Sequence, residues 1–494
     1  MLKPPLAHQL TAFERSRGKW HYAYFMEQGT GKTYVFLNDC EYYFAKGRIR
    51  AAAIIAPSGV DRNWEEREIP KLLEQPHKVL RYSAAKSKTK VFMRLFQDLL
   101  DCQPDTLAIF ILNVEAFSHK QSDAQKLLQR FMAHFPTLLG VDEGSTIKVP
   151  GSVRTKNVIK IGRMALGRRL LTGTPATQSP FNFYSLFRFL ADNLLGFTTF
   201  TEFKAFFAEW RKRVLPHPSQ AGKKIEFMEL KQYKNMDILK QRVDAHSYTV
   251  TKAECLDLPP KGYEVRLVEI SAKHRAIYDE ARKALIMDLE NDQKMTLAHA
   301  FTRLTRLSQI LGGFVKADEL SEPTQIESGN AKFTSMMALI EELPPQKKVI
   351  IWARYKAELS QIRRLIEAEY GKDSSALYWG DIKPDDRNDN VDRFMNDPCC
   401  RFFIANPKAG KYGLTLIAAS HAIYYSNDFS AEARWQSEDR IHRIGQECSV
   451  TYTDLVVAES VDQKILVLLQ EHKEMANYFK GNGAKASLAR WLRE

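Results

Sequence analysis

Cysteine is scarce in this 494-residue chain and forms no pattern: Cys40, Cys102, Cys255, Cys399, Cys400 and Cys448 show no C-x-x-C spacing and no paired His-Cys cluster. That argues against a structural zinc site or a disulfide framework and fits a reducing compartment. Long apolar runs are missing too, so no segment reads as a bilayer span, and the first residues lack the charged and apolar regions of a secretory leader. The expectation is an intracellular protein of the cytoplasm or nucleoid with no membrane partner. Acidic residues are in deficit, 59 Asp and Glu against 72 Lys and Arg, and the net charge of +13 favours a polyanionic partner such as nucleic acid. What is present, 44% hydrophobic and 27% charged residues, is the composition of a folded protein. Its length exceeds one hydrophobic core and suggests about three domains.

The stretch Met26-Glu27-Gln28-Gly29-Thr30-Gly31-Lys32-Thr33 follows a short apolar run, Tyr22 to Met26, and leads into Tyr34-Val35-Phe36-Leu37. It reads as strand, glycine turn, helix, which is phosphate-binding geometry. Gly29 and Gly31 let the N–H groups around Thr30 curl about a polyphosphate at a helix N-terminus. Lys32 supplies a point charge for the β- and γ-phosphates, and the Thr33 hydroxyl is a candidate Mg²⁺ ligand. Met26 stands where the strict pattern has Gly, so only the G-x-G-K-T core matches. Upstream, Gln9 carries an amide suited to an adenine edge, although an exposed helical glutamine is the bland alternative.

Runs that look like buried parallel strands follow: Ala51 to Ala56, Leu107 to Leu112, Thr137 to Val141 and Arg169 to Leu171, separated by helix-compatible text such as Val91 to Leu100. Strand and helix alternate, so the first half is α/β with a parallel sheet. Ligands of such sheets sit at the carboxyl ends of the strands. There stand Pro57-Ser58-Gly59, Asp142-Glu143-Gly144-Ser145 and Thr172-Gly173-Thr174-Pro175. Asp142 is the candidate Mg²⁺ ligand and Glu143 the candidate base for the attacking water. A helix N-cap is the competing explanation of the acidic pair.

From Phe187 to about Leu258 strand signals become sparse and the text turns aromatic and helical, more in keeping with a packed core than with nucleic-acid contact. With Ser271 to Phe314 this region is expected to form a helical insertion and linker. A second α/β unit starts near Ala331, with strand-like runs Lys348 to Trp352, Ala376 to Tyr378, Arg401 to Ala405, His421 to Tyr425 and Val450 to Val457. It has no phosphate loop. It does have Gln436-Ser437-Glu438-Asp439-Arg440-Ile441-His442-Arg443, in which Arg440 and Arg443 are expected on one helix face, placed to reach a γ-phosphate; a solvated basic face is the alternative.

The order of these motifs resembles the SWI/SNF-type branch of the superfamily 2 helicases and translocases. Gln9 falls at that family's adenine-reading position, and MEQGTGKT is similar to motif I from Glu27 onward. IIAPSGVDRNW (Ile54 to Trp64) resembles motif Ia, VDEG (Val141 to Gly144) motif II, and LLTGTPATQSPFNFYSLFRFL (Leu170 to Leu190) motif III. Leu258-Pro259-Pro260-Lys261 resembles a linker signature. KVIIWARYKAEL (Lys348 to Leu359) resembles motif IV, KAGKYGLTL (Lys408 to Leu416) motif V and QSEDRIHRIGQ (Gln436 to Gln446) motif VI.

The resemblance implies two RecA-like lobes in tandem with ATP and Mg²⁺ between them. It implies Glu143, Arg440 and Arg443 in catalysis, and Gln9, Gly29, Thr30, Gly31, Lys32, Thr33 and Gly413 at the nucleotide. Thr33 and Asp142 would hold the metal, and Thr172, Gly173, Thr174 and Gln436 would couple it to nucleic acid. The implied activity is movement along, or remodelling of, duplex or branched DNA, with DNA-replication, recombination or repair proteins as possible partners and a monomer plausible. An ATP-gated DNA-binding scaffold is the alternative. Nothing in the text marks a strand-separating hairpin.

The sequence departs from the family at Ser145, where motif II has His, at Val250-Thr251-Lys252, where paired arginines are expected, and at Ser426 and Phe429-Ser430 after motif V. The expected division is residues 1–190 for the ATP-binding lobe, 191–330 for the helical insertion and linker, 331–470 for the second lobe and 471–494 for a basic tail. The short chain resembles versions found in phages and bacteria.

Overall fold

The computed structural model describes residues 4–119, 121–173, 179–216, 224–291, 297–315, 322–326, 330–409, 414–471 and 484–493. The chain divides into two compact units, Met1–Asp257 and Leu258–Glu494. The first is built on β1 (His21–Met26), β2 (Ala51–Ala56), β3 (His77–Arg81), β4 (Leu107–Asn113), β5 (Thr137–Asp142), β6 (Gly167–Leu171) and, beyond a hairpin of β7 (Ala208–Pro216) and β8 (Lys224–Tyr233), β9 (Ser247–Val250). Seven of these form one sheet in the order β3-β4-β2-β5-β6-β1-β9, every pairing parallel. The central strands are short and apolar because helices cover both faces: every residue of Ala51–Ala56 is buried. Strand β3 and strand β9 lie at the edges. His77-Lys78-Val79-Leu80-Arg81 is half-buried, so it carries no continuous apolar run to mark it in the sequence.

The second unit has β10 (Lys261–Val268), a small antiparallel pair β11 (Phe314–Val315) and β12 (Thr324–Gln325), then β13 (Lys348–Trp352), β14 (Ser375–Tyr378), β15 (Phe402–Ala405), β16 (Ala419–Tyr424) and β17 (Val450–Val457). Its six-stranded parallel sheet runs β10-β17-β16-β13-β15-β14. Both lobes are therefore α/β with parallel sheets, as expected.

Residues 191–330 differ from the expected helical insertion. Helix Phe200–Phe207 is there, with Phe203 and Phe207 fully buried, but β7, β8, β9 and β10 lie in the same segment. Two of those strands complete the two large sheets, and the break between units falls at Asp257. Edge strands need only one apolar face, and the exposed β10 reads as polar loop. Nor are the last residues only a basic tail. Helix Ala484–Arg493 places Leu488, Ala489 and Leu492 in the second core, beside Tyr278, Leu285 and Leu289 of helix Ala272–Asn291.

A buried ionic cluster fixes the first unit. Arg169 of β6 and Asp39 of helix Lys32–Ala45 are both fully buried, with Arg169 Nε 2.5 Å from Asp39 Oδ2. The Tyr24 hydroxyl donates to the same carboxylate, Ser16 Oγ donates to Asp39 Oδ1 at 3.1 Å, and Arg169 donates to the Lys19 and Trp20 carbonyls at 3.0 Å each. The charge of Asp39 holds the guanidinium protonated against the opposing cost of burial. Removing one member of such a pair leaves a buried charge alone, so Arg169→Met is expected to cost about 3–5 kcal/mol. The check is urea unfolding of this lobe, with the double substitution Asp39→Leu/Arg169→Met recovering part of the loss.

In the second unit Glu358 is fully buried, accepting from Ser426 Oγ at 2.5 Å and Tyr355 N at 3.2 Å. Burial raises its carboxyl from an ordinary 4.5 to about 7, opposed by the Ser426 hydrogen bond and then the Lys332 charge. A carboxyl whose folded value is raised binds its proton more tightly folded than unfolded, so stability is full below pH 4.5 and falls as pH climbs through 7. The loss is about 3 kcal/mol. Glu358→Gln is expected to abolish that part of the slope in unfolding curves between pH 5 and about pH 8.

Candidate active site

Strand β1 ends at Met26, and the turn that follows delivers the chain into helix Lys32–Ala45 through two residues of positive φ, Gly29 at 80° and Gly31 at 94°. Thr30 closes the turn: its Oγ1 donates to the Glu27 carbonyl at 2.7 Å, and its own carbonyl accepts from Gln9 Nε2 at 3.1 Å and lies 2.7 Å from His8 Nε2. Gln9 Oε1 accepts from Leu6 N at 3.0 Å, so this side chain ties the first helix, Ala7–Ser16, to the phosphate loop. Its φ favours glycine at position 31, and a Cβ there would come 2.1 Å from Gln9 Nε2, so a larger residue must displace the Gln9 amide from Thr30. Lys32 is buried and its Nζ reaches back to the Met26 carbonyl at 2.8 Å and the Glu27 carbonyl at 3.2 Å. Its ammonium thus sits within the cradle.

Asp142 ends β5. Its Oδ1 accepts from the Glu143 N–H and its Oδ2 from Trp64 Nε1, each at 2.9 Å. Burial pushes the Asp142 carboxyl up from its ordinary value, while the Trp64 hydrogen bond and then the Lys32 charge pull it back down. Glu143 is buried and adopts φ 51°, a left-handed conformation that costs a non-glycine residue energy and gathers at functional sites. Ser145 is buried two residues on. Thr172 N donates to the Tyr24 carbonyl at 3.0 Å, and a Cβ on Gly173 would stand 3.0 Å from Gln28 N. The turn after β6 therefore packs directly on the phosphate loop. Thr174 and Gly413 lie outside the described residues.

Trp64 was not assigned a role by sequence reasoning. A buried indole N–H needs an acceptor, and β2 and β5 pair in register with Ile55 opposite Val141, so residues following these strands are neighbours. Glu27 is a second such residue, its Oε2 accepting from Lys252 N at 2.7 Å.

In the second unit Arg440 and Arg443 do not share a helix face. Helix Ala431–Glu438 ends before them, and they occupy turns in which Arg440 N donates to the Ser437 carbonyl and Arg443 N to the Ile441 carbonyl. They meet instead at one acceptor: Arg440 Nη1 and Arg443 Nη1 donate to the Leu414 carbonyl at 3.2 and 3.0 Å. Arg440 is buried and also donates to the Gln436 carbonyl at 2.7 Å, whereas Arg443 is only half-buried. Gln436 is buried, with Nε2 donating to Glu432 Oε1 at 3.1 Å. His442 Nε2 lies 2.8 Å from the Pro259 carbonyl, which ties motif VI to the Leu-Pro-Pro-Lys stretch.

These features define a protein of the phosphate-loop class with a strand-terminal acidic pair in one parallel-sheet unit and an arginine motif in a second. The chain belongs to the SNF2-related family: the SNF2-related domain matches residues 24–313 and the helicase conserved C-terminal domain residues 331–445. It is similar to an uncharacterized ATP-dependent helicase of Mycoplasma pneumoniae, 22% identical over 91% of this chain and 39% of that protein. It is also similar to the putative ATP-dependent helicase/translocase YwqA of Bacillus subtilis, 24% identical over 91% of this chain and 45% of that protein. The chain spans less than half the length of these two relatives. Among solved structures it is similar to the Sulfolobus solfataricus SWI2/SNF2 ATPase core in complex with dsDNA, at 21% identity, TM-score 0.39, 99% of this chain and 97% of that one.

Gly31→Ala forces a left-handed alanine against Gln9, a strain of about 1–3 kcal/mol, and is expected to weaken ATP binding about tenfold or more. Nucleotide titration by calorimetry checks this, with Gln9→Ala/Gly31→Ala recovering only the steric part.

Proposed function

We propose that this chain hydrolyses ATP with Mg²⁺ and uses the cycle to move along, or remodel, duplex or branched DNA. One observation carries the reading: the phosphate loop after β1 and the acidic pair after β5 belong to one sheet, and Thr172 and Gly173 after β6 pack against the loop between them. The residues present suit the nucleotide and its metal. The positive-φ glycines free backbone N–H groups to hold phosphate, Lys32 turns from its carbonyl acceptors to the β- and γ-phosphates, and Gln9 meets the adenine edge. Thr33 and Asp142 would hold Mg²⁺, which supplies charge neutralisation on the transferred phosphate.

Glu143 orients the attacking water and takes its proton. Arg443, the less buried arginine, provides counter-charge to the γ-phosphate, and Arg440 positions the chain at Leu414. Thr172, Gly173 and Thr174 relay the state of the loop to nucleic acid, with Gln436 serving motif VI and Gly413 the nucleotide. DNA is held mostly through phosphate contacts, which carry no sequence information. Replication, recombination or repair proteins are the fitting partners, and the cytoplasm or nucleoid is the fitting location.

Ser145 in place of the motif II histidine favours one second reading, an ATP-gated DNA-binding scaffold whose hydrolysis is weakly coupled to DNA. Steady-state ATP hydrolysis with and without linear duplex DNA separates the two. Strong stimulation by duplex is expected, and Glu143→Gln is expected to lower the stimulated rate about 100-fold or more. Hydrolysis indifferent to duplex, branched and single-stranded DNA would leave the scaffold reading.

A further inference from the structure

One edge of the second sheet is unlike the others in the molecule. Strand β10 pairs with β17 alone, from Lys261 beside Val450 to Val268 beside Val457, eight residues in parallel register without a bulge. No strand lies on its other side among the described residues. The remaining edge strands of the two large sheets, β3, β9 and β14, have five, four and four residues, and none of them carries an exposed large apolar side chain. β10 carries three: Tyr263 is 56% exposed, Val265 49% and Leu267 59%. They alternate along the strand and so share one face. Proteins usually blunt a long edge with short strands, bulges or lysines, because a flat apolar edge pairs with any strand that fits it.

The opposite face of β10 is charged. Glu264 accepts from Thr453 Oγ1 at 3.1 Å and is exposed, and Arg266 makes a bidentate pair with Glu342 at 2.8 and 2.9 Å. That pair takes two of the five donors of the guanidinium. Laid antiparallel against a second copy about a twofold axis at Val265, the strand is its own complement. Val265 meets Val265 and Tyr263 meets Leu267 on the apolar face, Glu264 meets Arg266 on the charged face, and Lys261 meets the exposed Glu269 just beyond the strand. The pleat keeps opposite residues on one face, so the axis can move only by whole residues. Moved to position 264 it sets Glu264 against Glu264, and moved to position 266 it sets Arg266 against Arg266; like charges directly opposite are destabilising.

We propose that two copies of this chain join along β10 in this register, fusing their six-stranded sheets across a twofold axis. The inference goes beyond the ATPase reading and does not depend on it. A row of unpaired backbone N–H and C=O groups beside apolar side chains calls for a polypeptide strand and not for nucleic acid. The second copy is the partner because opposite charges and apolar pairs coincide in one register. A single strand pair about 26 Å long belongs with the small interfaces, those under about 1,200 Å², so the association is reversible.

Sedimentation velocity of the whole chain over a concentration series tests this. The unsubstituted protein is expected to pass reversibly from monomer to dimer as concentration rises. Glu264→Arg sets arginine against arginine and Arg266→Glu sets glutamate against glutamate, and each is expected to weaken association about tenfold or more. An equimolar mixture of these two variants restores both opposite-charge pairs and is expected to dimerise, which misfolded chains would not do. Under mild oxidation Val265→Cys is expected to give an intermolecular disulfide at position 265, located by peptide mass spectrometry. Leu267→Cys is not, because the register holds the two copies of position 267 about 13 Å apart. A monomer at every concentration, leaving the edge to a strand of some other protein, would overturn the proposal. So would a dimer indifferent to both single substitutions, or a mixture that stays monomeric.

Discussion

The carboxylate of Asp39 and the guanidinium of Arg169 lie out of reach of solvent in the middle of the first lobe. Taking two charges out of water costs several kcal/mol each, and their attraction offsets that cost only when every remaining donor and acceptor is matched. Here the partners come from five places: Tyr24 on β1, Ser16 on the first helix, the Lys19 and Trp20 carbonyls between them, Asp39 on the helix after the phosphate loop, and Arg169 on β6. One arrangement of those pieces satisfies all of them. The helix that begins at Lys32 is thereby fixed against the two strands whose ends carry the phosphate loop and the Thr172-Gly173 turn.

The geometry of the site follows from that placement. Parallel strands bring their carboxyl ends to one edge of the sheet, so residues distant in sequence converge there without needing long side chains. Asp142 gains its place from the Trp64 indole and the Glu143 N–H, and the turn after β6 touches Gln28 because Gly173 has no side chain. Phe25 of β1 in turn meets Phe183 of helix Asn182–Leu190 at 5.8 Å, so the loop, the Thr172-Gly173 turn and that helix share one packed region. Close packing turns small shifts into discrete ones.

The second lobe solves a similar problem with a different charge. Arg434 is buried, lies over the Tyr424 ring at 3.5 Å, and makes a bidentate pair with Asp454 at 2.6 and 2.9 Å while its Nε donates to Glu438. That holds helix Ala431–Glu438 on β16 and β17, and sets where the turns bearing Arg440 and Arg443 begin. Both arginines then find the Leu414 carbonyl, which links motif VI to the end of motif V.

Local chemistry was readable in the sequence wherever it was written in consecutive residues. Strands β2, β13 and β17 were legible to the residue because they are buried on both faces and hence mostly apolar, with Lys348 at the start of β13 and Thr451, Thr453 and the ion-paired Asp454 in β17 as the polar exceptions. The phosphate loop was legible because positive φ at successive turns demands glycine, and Asp142-Glu143 because it ends such a strand. Edge strands β3, β9 and β10 were not, since one open face lets polar residues stand in them. The exposed hairpin was missed too, and so was the loss of helix after Glu438, which depends on capping and on Leu414 rather than on periodicity. The sequence alone determined the strand, glycine turn and helix around Gly29 and Gly31 and the acidic pair at the end of β5, because these are written in single side chains and short turns. Only the tertiary structure decided that Trp64 holds Asp142, that Gln9 rests on Thr30 and that Asp39 meets Arg169. Those contacts span from about 20 to 130 residues of chain, and packing alone brings their partners together.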